Sequence, residues 1–129
     1  MSVRIVRLGS PRLPGEGLRI GTVRRPPRGV PKNQHASGDW YDVWYPELAP
    51  SAALLRTARQ AADEADWQRF RTRYRAEMTT PGTRRTLALL AALSLHTDLS
   101  VGCYCADETR CHRGVLRELL REAGADVVV

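Results

Sequence analysis

The chain has 129 residues, enough for one domain with a real core, and at 43% hydrophobic and 26% charged residues it reads as globular and soluble. No run approaches the ~20 apolar residues of a membrane span, and the opening "MSVRIVRLGS" lacks the apolar heart of a signal peptide, so no membrane partner and a cytoplasmic setting are the expectation. Net charge is +6 and lopsided: residues 1–32 hold eight basic residues against one acidic, Glu16.

Such a patch favours anionic partners: phosphate, nucleotide or nucleic acid. A plain compositional bias is the competing source, because nineteen of the twenty basic residues are Arg.

In chain order, "VRIVRL" (3–8) and "LRIGTV" (18–23) alternate with period two, as strands do, across the turn "PRLPGEG" (11–17). The stretch 24–39, "RRPPRGVPKNQHASGD", is rich in Pro, Gly and Arg; its prolines lack backbone donors, which predicts a long loop. Loops of this length in small domains are often functional. Four aromatics follow within "WYDVWYPEL" (40–48), a short strand or extended segment; Trp40, Tyr41 and Trp44 are either a stacking wall or core.

From Pro50 the pattern turns helical. Asp66 is then the expected N-cap of a second helix, with Trp67, Phe70, Tyr74 and Met78 as one apolar stripe and Arg69, Arg71, Arg73 and Arg75 as a solvated face. Thr80–Pro81 opens a third helix with Leu87, Leu90 and Ala91 inward. "LSVGCYC" (99–105) reads as a buried parallel strand, "CHRGVLRELLREAG" (111–124) as a helix stopped by Gly124, and "ADVVV" (125–129) as a last strand. Strands alternating with helices predict a single α/β domain over 1–129: three-layer, with a mainly parallel sheet, helices packed on it and right-handed crossovers.

All three cysteines and one histidine fall between positions 103 and 112. In the last helix Val115, Leu116, Leu119, Leu120 and Ala123 mark the inward face, and Cys111 and His112 sit one turn earlier on that side. Cys103 and Cys105 share a strand face, and the turn "ADETR" brings strand tip and helix start together, where open α/β sheets bind ligands. Asp107 or Thr109 caps the helix start, and its free amides with Arg110 and Arg113 suit an anion.

Three chemistries compete with simple packing there. Cys103, Cys105, Cys111 and His112 form the pattern C-x-C-x5-C-H, a ligand set zinc accepts, although its spacings are poorer than paired C-x2-C knuckles. Alternatively, Cys105 or Cys111 is a nucleophile or reversible disulfide partner, with His112 as base. The phosphatase signature C-x5-R is missed, since Cys111 stands at that offset from Cys105. Finally, His112, Arg113 and the helix start bind a phosphate or carboxylate without covalent chemistry. In the packing alternative the cysteines are small hydrophobes.

The segments "CYCADETRCHRGVL", "EGLRIGTVRRPPRGVPK" and "YDVWYPELAPS" together resemble the domain of unknown function 488 family, particularly its YeaO-like members, over nearly the whole chain. The resemblance implies a compact single α/β domain and carries no assigned activity. YeaO-like proteins often show a D-R-x-W-P-R-G loop, whereas this chain reads Val23-Arg24-Arg25-Pro26-Pro27-Arg28-Gly29; many of them also lack the late cysteines.

The resulting expectation is a small anionic ligand, phosphate or nucleotide-like, held where Arg24, Arg25 and Arg28 of the long loop meet Arg110, Arg113, Trp40 and Tyr41. Cys105 or Cys111 with His112 is the catalytic candidate if there is turnover, zinc is the candidate cofactor, and nucleic acid is the alternative partner through the basic loop.

Overall fold

A computed structural model describes residues 1–128, so Val129 lies outside the described residues. Both period-two segments are strands: β1 (Val3–Arg7) and β2 (Leu18–Gly21). The aromatic segment supplies the short β3 (Val43–Trp44), and β4 spans Leu99–Cys103. They form one all-parallel sheet in the order β1-β4-β2-β3. Every residue of β4 is buried, as its apolar run and central place require.

Four α-helices pack on this sheet. α1 (Ala52–Arg59) begins after Ser51, whose hydroxyl accepts the Leu54 N–H; Pro50 lies just before that cap. α2 (Glu64–Glu77) buries Trp67, Phe70 and Tyr74, and Met78 follows on the same stripe. Its N-cap is Asp63, not Asp66: Asp63 has extended backbone and accepts the Asp66 N–H, while Asp66 reaches back to the Ala62 N–H. α3 (Pro81–Ser94) is capped by Thr80 with Pro81 in its first turn and buries Leu87, Leu90 and Ala91. α4 (His112–Glu122) ends before Gly124, whose φ of 98° favours glycine.

Of the inward face expected for this helix, Val115, Leu116 and Leu120 are buried and Leu119 is half-buried, while Ala123, just past the end of α4, is exposed. The arginine face of α2 is less solvated than its composition suggests, because Arg71 and Arg75 pair with Glu118 and Glu122 of α4. "ADVVV" does not form a strand among the described residues; it makes a single parallel bridge, Val3 to Val127.

One core joins Val3, Ile20, Leu99 and Val101 of the sheet to apolar residues of all four helices. On the other face the cover is made by connecting segments. There Arg19 and its register partner Ser100 both bond Glu16, and a Cβ at Gly21 would lie 2.3 Å from the Tyr41 ring. The sheet thus lies between a helical layer and a layer built by the turn 11–17 and the segment around Tyr41. Among the described residues no helix is long and apolar enough to cross a membrane.

Candidate functional site

Parallel strands place their carboxyl ends on one edge, and the register makes this concrete: Arg7 pairs with Cys103, and Gly21 with Gly102. The segments leaving these three strand ends, with α1, enclose a cleft of about 1110 Å³. Clefts outside the carboxyl ends of such sheets are the usual ligand sites of the architecture.

Seven arginines line it: Arg7, Arg24, Arg25, Arg28, Arg56, Arg59 and Arg110. Among the described residues, no acidic side chain does. Arg24 is held in place by donating to the carbonyls of Ala49 and Pro50, and Arg7 by donating to that of Tyr104. Arg110 pairs with Glu64 at 3.0 Å on the exposed surface. Among the described residues, Arg25, Arg28, Arg56 and Arg59 have no ion pair. Trp40 and Tyr104, edge to face with ring centroids 5.9 Å apart, form an aromatic wall.

The sulfur cluster lies in the same cleft, with Cys103, Cys105 and His112 all lining it. Cys103 ends β4 and Cys111 is the residue before α4; both are buried, while Cys105 is exposed. The turn between them is compact because Asp107 caps its 3-10 segment, Glu108–Arg110, by accepting the Thr109 N–H. Gly114 lets α4 approach this turn, since a Cβ there would sit 2.6 Å from the Glu108 carbonyl oxygen. The Sγ atoms of Cys103 and Cys111 are 2.7 Å apart, and Nδ1 of His112 lies 3.7 Å from Cys111 Sγ.

His112 is buried and its orientation is fixed. Nε2 lies 2.7 Å from the Thr22 carbonyl, which only accepts, so Nε2 carries the proton and Nδ1 presents its lone pair to the cysteines. Burial lowers its pKa to about 4 against the raising effect of that bond, which keeps the ring neutral at pH 7. The neighbouring thiols and burial push the Cys103 thiol up, so it stays protonated in the metal-free protein.

Of the ligand residues expected from sequence, Arg24, Arg25, Arg28, Arg110 and Trp40 reach the cleft. Arg113 and Tyr41 do not. Arg113 is buried and its Nη2 donates to the Ala106 carbonyl, bracing the turn from inside, with Nε unpartnered. Tyr41 packs beneath β2 with its hydroxyl unpartnered. Trp44 is exposed and donates its indole N–H to the Val23 carbonyl, so it is neither wall nor core.

Of the four sulfur and nitrogen donors expected to share a metal, Cys103, Cys111 and His112 have ligand atoms all within 4.8 Å of one another and could hold an ion; Cys105 falls outside that group.

Sequence reasoning missed Arg7, Arg56, Arg59 and Tyr104. Arg7 had a signal, since it ends the alternating strand beside Cys103. Arg56 and Arg59 come to the cleft only through the packing of α1.

The family model DUF488-N3a, described as the active DUF488-N3 subclade, matches residues 3–124. No curated protein and no solved structure is significantly similar to the chain.

Proposed function

Starting from the fact that the chain belongs to the DUF488 family, we propose that it binds a small anionic ligand, phosphate or nucleotide-like, in the cleft at the carboxyl ends of β1, β2 and β4. The observation that carries this reading is a cleft wall with seven arginines and, among the described residues, no acidic side chain. Guanidinium forks bind phosphate oxygens in pairs, and arginines without protein partners leave those donors for a ligand. The cleft's size and the Trp40–Tyr104 wall suit a ligand larger than phosphate alone, with an aromatic or apolar portion beside its charge. The subclade's description as active agrees with a working site of this kind.

Calorimetric titration with inorganic phosphate and with a nucleoside diphosphate tests it. The expected result is one site per chain, with affinity for the diphosphate weakened roughly tenfold or more in Arg25→Ala and in Arg28→Ala. Absence of heat with both probes, or full affinity in the double variant, overturns it. Steep loss of duplex DNA binding with salt, without one-to-one nucleotide binding, would replace it by a nucleic-acid surface.

A second reading, cysteine-dependent chemistry, is favoured by the placement of Cys105, the exposed thiol, on the same wall. It predicts that iodoacetamide modifies Cys105 ahead of the buried pair. It also predicts that Cys105→Ser abolishes turnover while nucleotide binding survives.

A further inference from the structure

We propose that Cys103, Cys111 and His112 form a zinc site with two sulfur ligands and one nitrogen, whose fourth position opens into the arginine-lined cleft and takes an oxygen of the bound anion. The three-ligand site stands by itself; the role of its fourth position rests on the anion-binding reading of the cleft.

The donor set is one zinc accepts, and the three ligand atoms lie within 4.8 Å of one another. A tetrahedral zinc with its usual bond lengths separates neighbouring ligand atoms by roughly 3.4–3.8 Å. Cys111 Sγ and His112 Nδ1, at 3.7 Å, already meet that condition. The two sulfurs, at 2.7 Å, must part by roughly 1 Å, a movement that rotation of one cysteine side chain supplies.

The histidine is prepared for this role by its other nitrogen. Metal-binding imidazoles usually donate their second N–H to a fixed acceptor, which sets the tautomer and the ring plane. Here the acceptor is the Thr22 carbonyl, and Thr22 is itself anchored because its N–H and its hydroxyl both donate to the Gly102 carbonyl, at 3.0 and 2.9 Å. The Tyr74 ring, edge-on with centroids 5.5 Å away, closes the side of the imidazole. Cys103 is held by the centre of the sheet, and Cys111 precedes α4 without spending its side chain on a capping bond. Ligands carried by rigid elements are what a preorganised metal site needs.

The site has an open side. Cys103 and His112 line the cleft, and Cys111 lies behind them. Structural zinc sites are closed by four protein ligands, whereas three leave a position for an exogenous group. Binding would displace the thiol protons of Cys103 and Cys111, leaving a complex of two thiolates and one neutral imidazole, uncharged overall and free to accept an anion.

The test is metal content of protein purified with zinc supplied, followed by replacement with Co2+, whose visible spectrum reports geometry and thiolate ligation. One zinc per chain and a tetrahedral cobalt spectrum with sulfur-to-metal charge transfer are expected. Cobalt affinity should fall by more than roughly 100-fold in Cys111→Ser and stay within a few-fold in Cys105→Ser. Because Cys111 is buried, the wild-type protein supplies an independent readout: a mercurial should modify Cys105 without releasing zinc, and release it when the next two thiols react. Metal-free wild-type protein that takes up no cobalt, or a Cys103–Cys111 disulfide in its place, overturns the site. Inorganic phosphate should shift the cobalt bands. Phosphate binding by calorimetry without a shift overturns the open fourth position and leaves the cleft reading standing. Zinc bound with no heat from either phosphate or the nucleoside diphosphate overturns the cleft reading, and the role of the fourth position with it, and leaves the three-ligand site standing.

Discussion

Arginines serve opposite ends on the two sides of β2. Beneath the sheet, Arg19 is fully buried and makes four side-chain hydrogen bonds: two to Glu16 at 2.7 and 2.8 Å, and two to the carbonyls of Ser10 and Asp39. Glu16 in turn accepts from the Ser100 hydroxyl and the Leu13 N–H. At the carboxyl edge, Arg25 and Arg28 are exposed and, among the described residues, face a cleft without acidic side chains and have no such partner. All three lie in the same basic N-terminal stretch, yet one is structural and two are free to act on something else. Pairing, which charge counting does not see, separates them.

The largest effect should come from breaking the buried pair. Glu16→Gln leaves the Arg19 guanidinium buried against a neutral amide and should lower unfolding free energy by about 3–5 kcal/mol, read from urea denaturation. Replacing both residues by apolar ones of similar volume should recover most of that loss, because desolvation offsets much of a buried pair's attraction. Acid reaches the same contact without mutation. Burial raises the Glu16 pKa, but hydrogen bonds from Arg19, Leu13 and Ser100 overcome it and hold the group at about 2, against 4.5 in an exposed chain. A depressed carboxylate contributes stability above its unfolded value and loses it as pH falls. Stability should therefore decline between about pH 4.5 and 2 by about 3 kcal/mol, a decline that Glu16→Gln lacks. An acid limb of equal size in that variant would assign the loss to other carboxylates, Asp42 first, whose pKa is also lowered by Arg12 and the Arg19 N–H against the raising effect of burial.

The cleft arginines should behave the other way. Arg25→Ala and Arg28→Ala should move the denaturation midpoint by no more than about 0.5 kcal/mol, or raise stability slightly by relieving like-charge repulsion, while weakening nucleotide binding. A stability loss as large as that of Glu16→Gln would mean these side chains are braced within the fold, and the contrast between the two regions would fail.

Much of this was legible in the residues themselves. Period-two runs located β1 and β2, the apolar run located β4, and the stripe from Trp67 to Met78 located the buried face of α2. The meeting of the sulfur turn with Arg24, Arg25 and Arg28 was expected, but its reason, the pairing of β2 with β4 so that both segments leave neighbouring carboxyl ends, was visible only in the structure. Side-chain direction at single positions was not legible. Arg113 follows His112 directly, yet one step of about 100° around the helix takes its side chain under the turn instead of into the cleft. Asp63 and Asp66 carry the same cap chemistry, and only backbone angles tell them apart. Arg56 and Arg59 lie some thirty residues from the loop they face, and no local pattern announces a tertiary neighbour.

The smallest effect sharpens the contrast from a third position, where arginines are paired but wet. Arg75 joins α2 to α4 through Glu122 at 2.7 Å and Glu118 at 3.4 Å, with 35% of its own side chain and 57% of that of Glu122 exposed. Exposed pairs lose most of their attraction to water and salt, and the chain must immobilise two long side chains to make them. Arg75→Met keeps much of the stem's packing and removes the charge, so it should cost no more than about 1 kcal/mol, and less in high salt. A salt-independent cost near that of Glu16→Gln would show that the bridge from α2 to α4 acts as a desolvated contact. Pairing alone would then suffice to make an arginine structural in this fold; the small, salt-sensitive cost expected here makes burial the deciding variable.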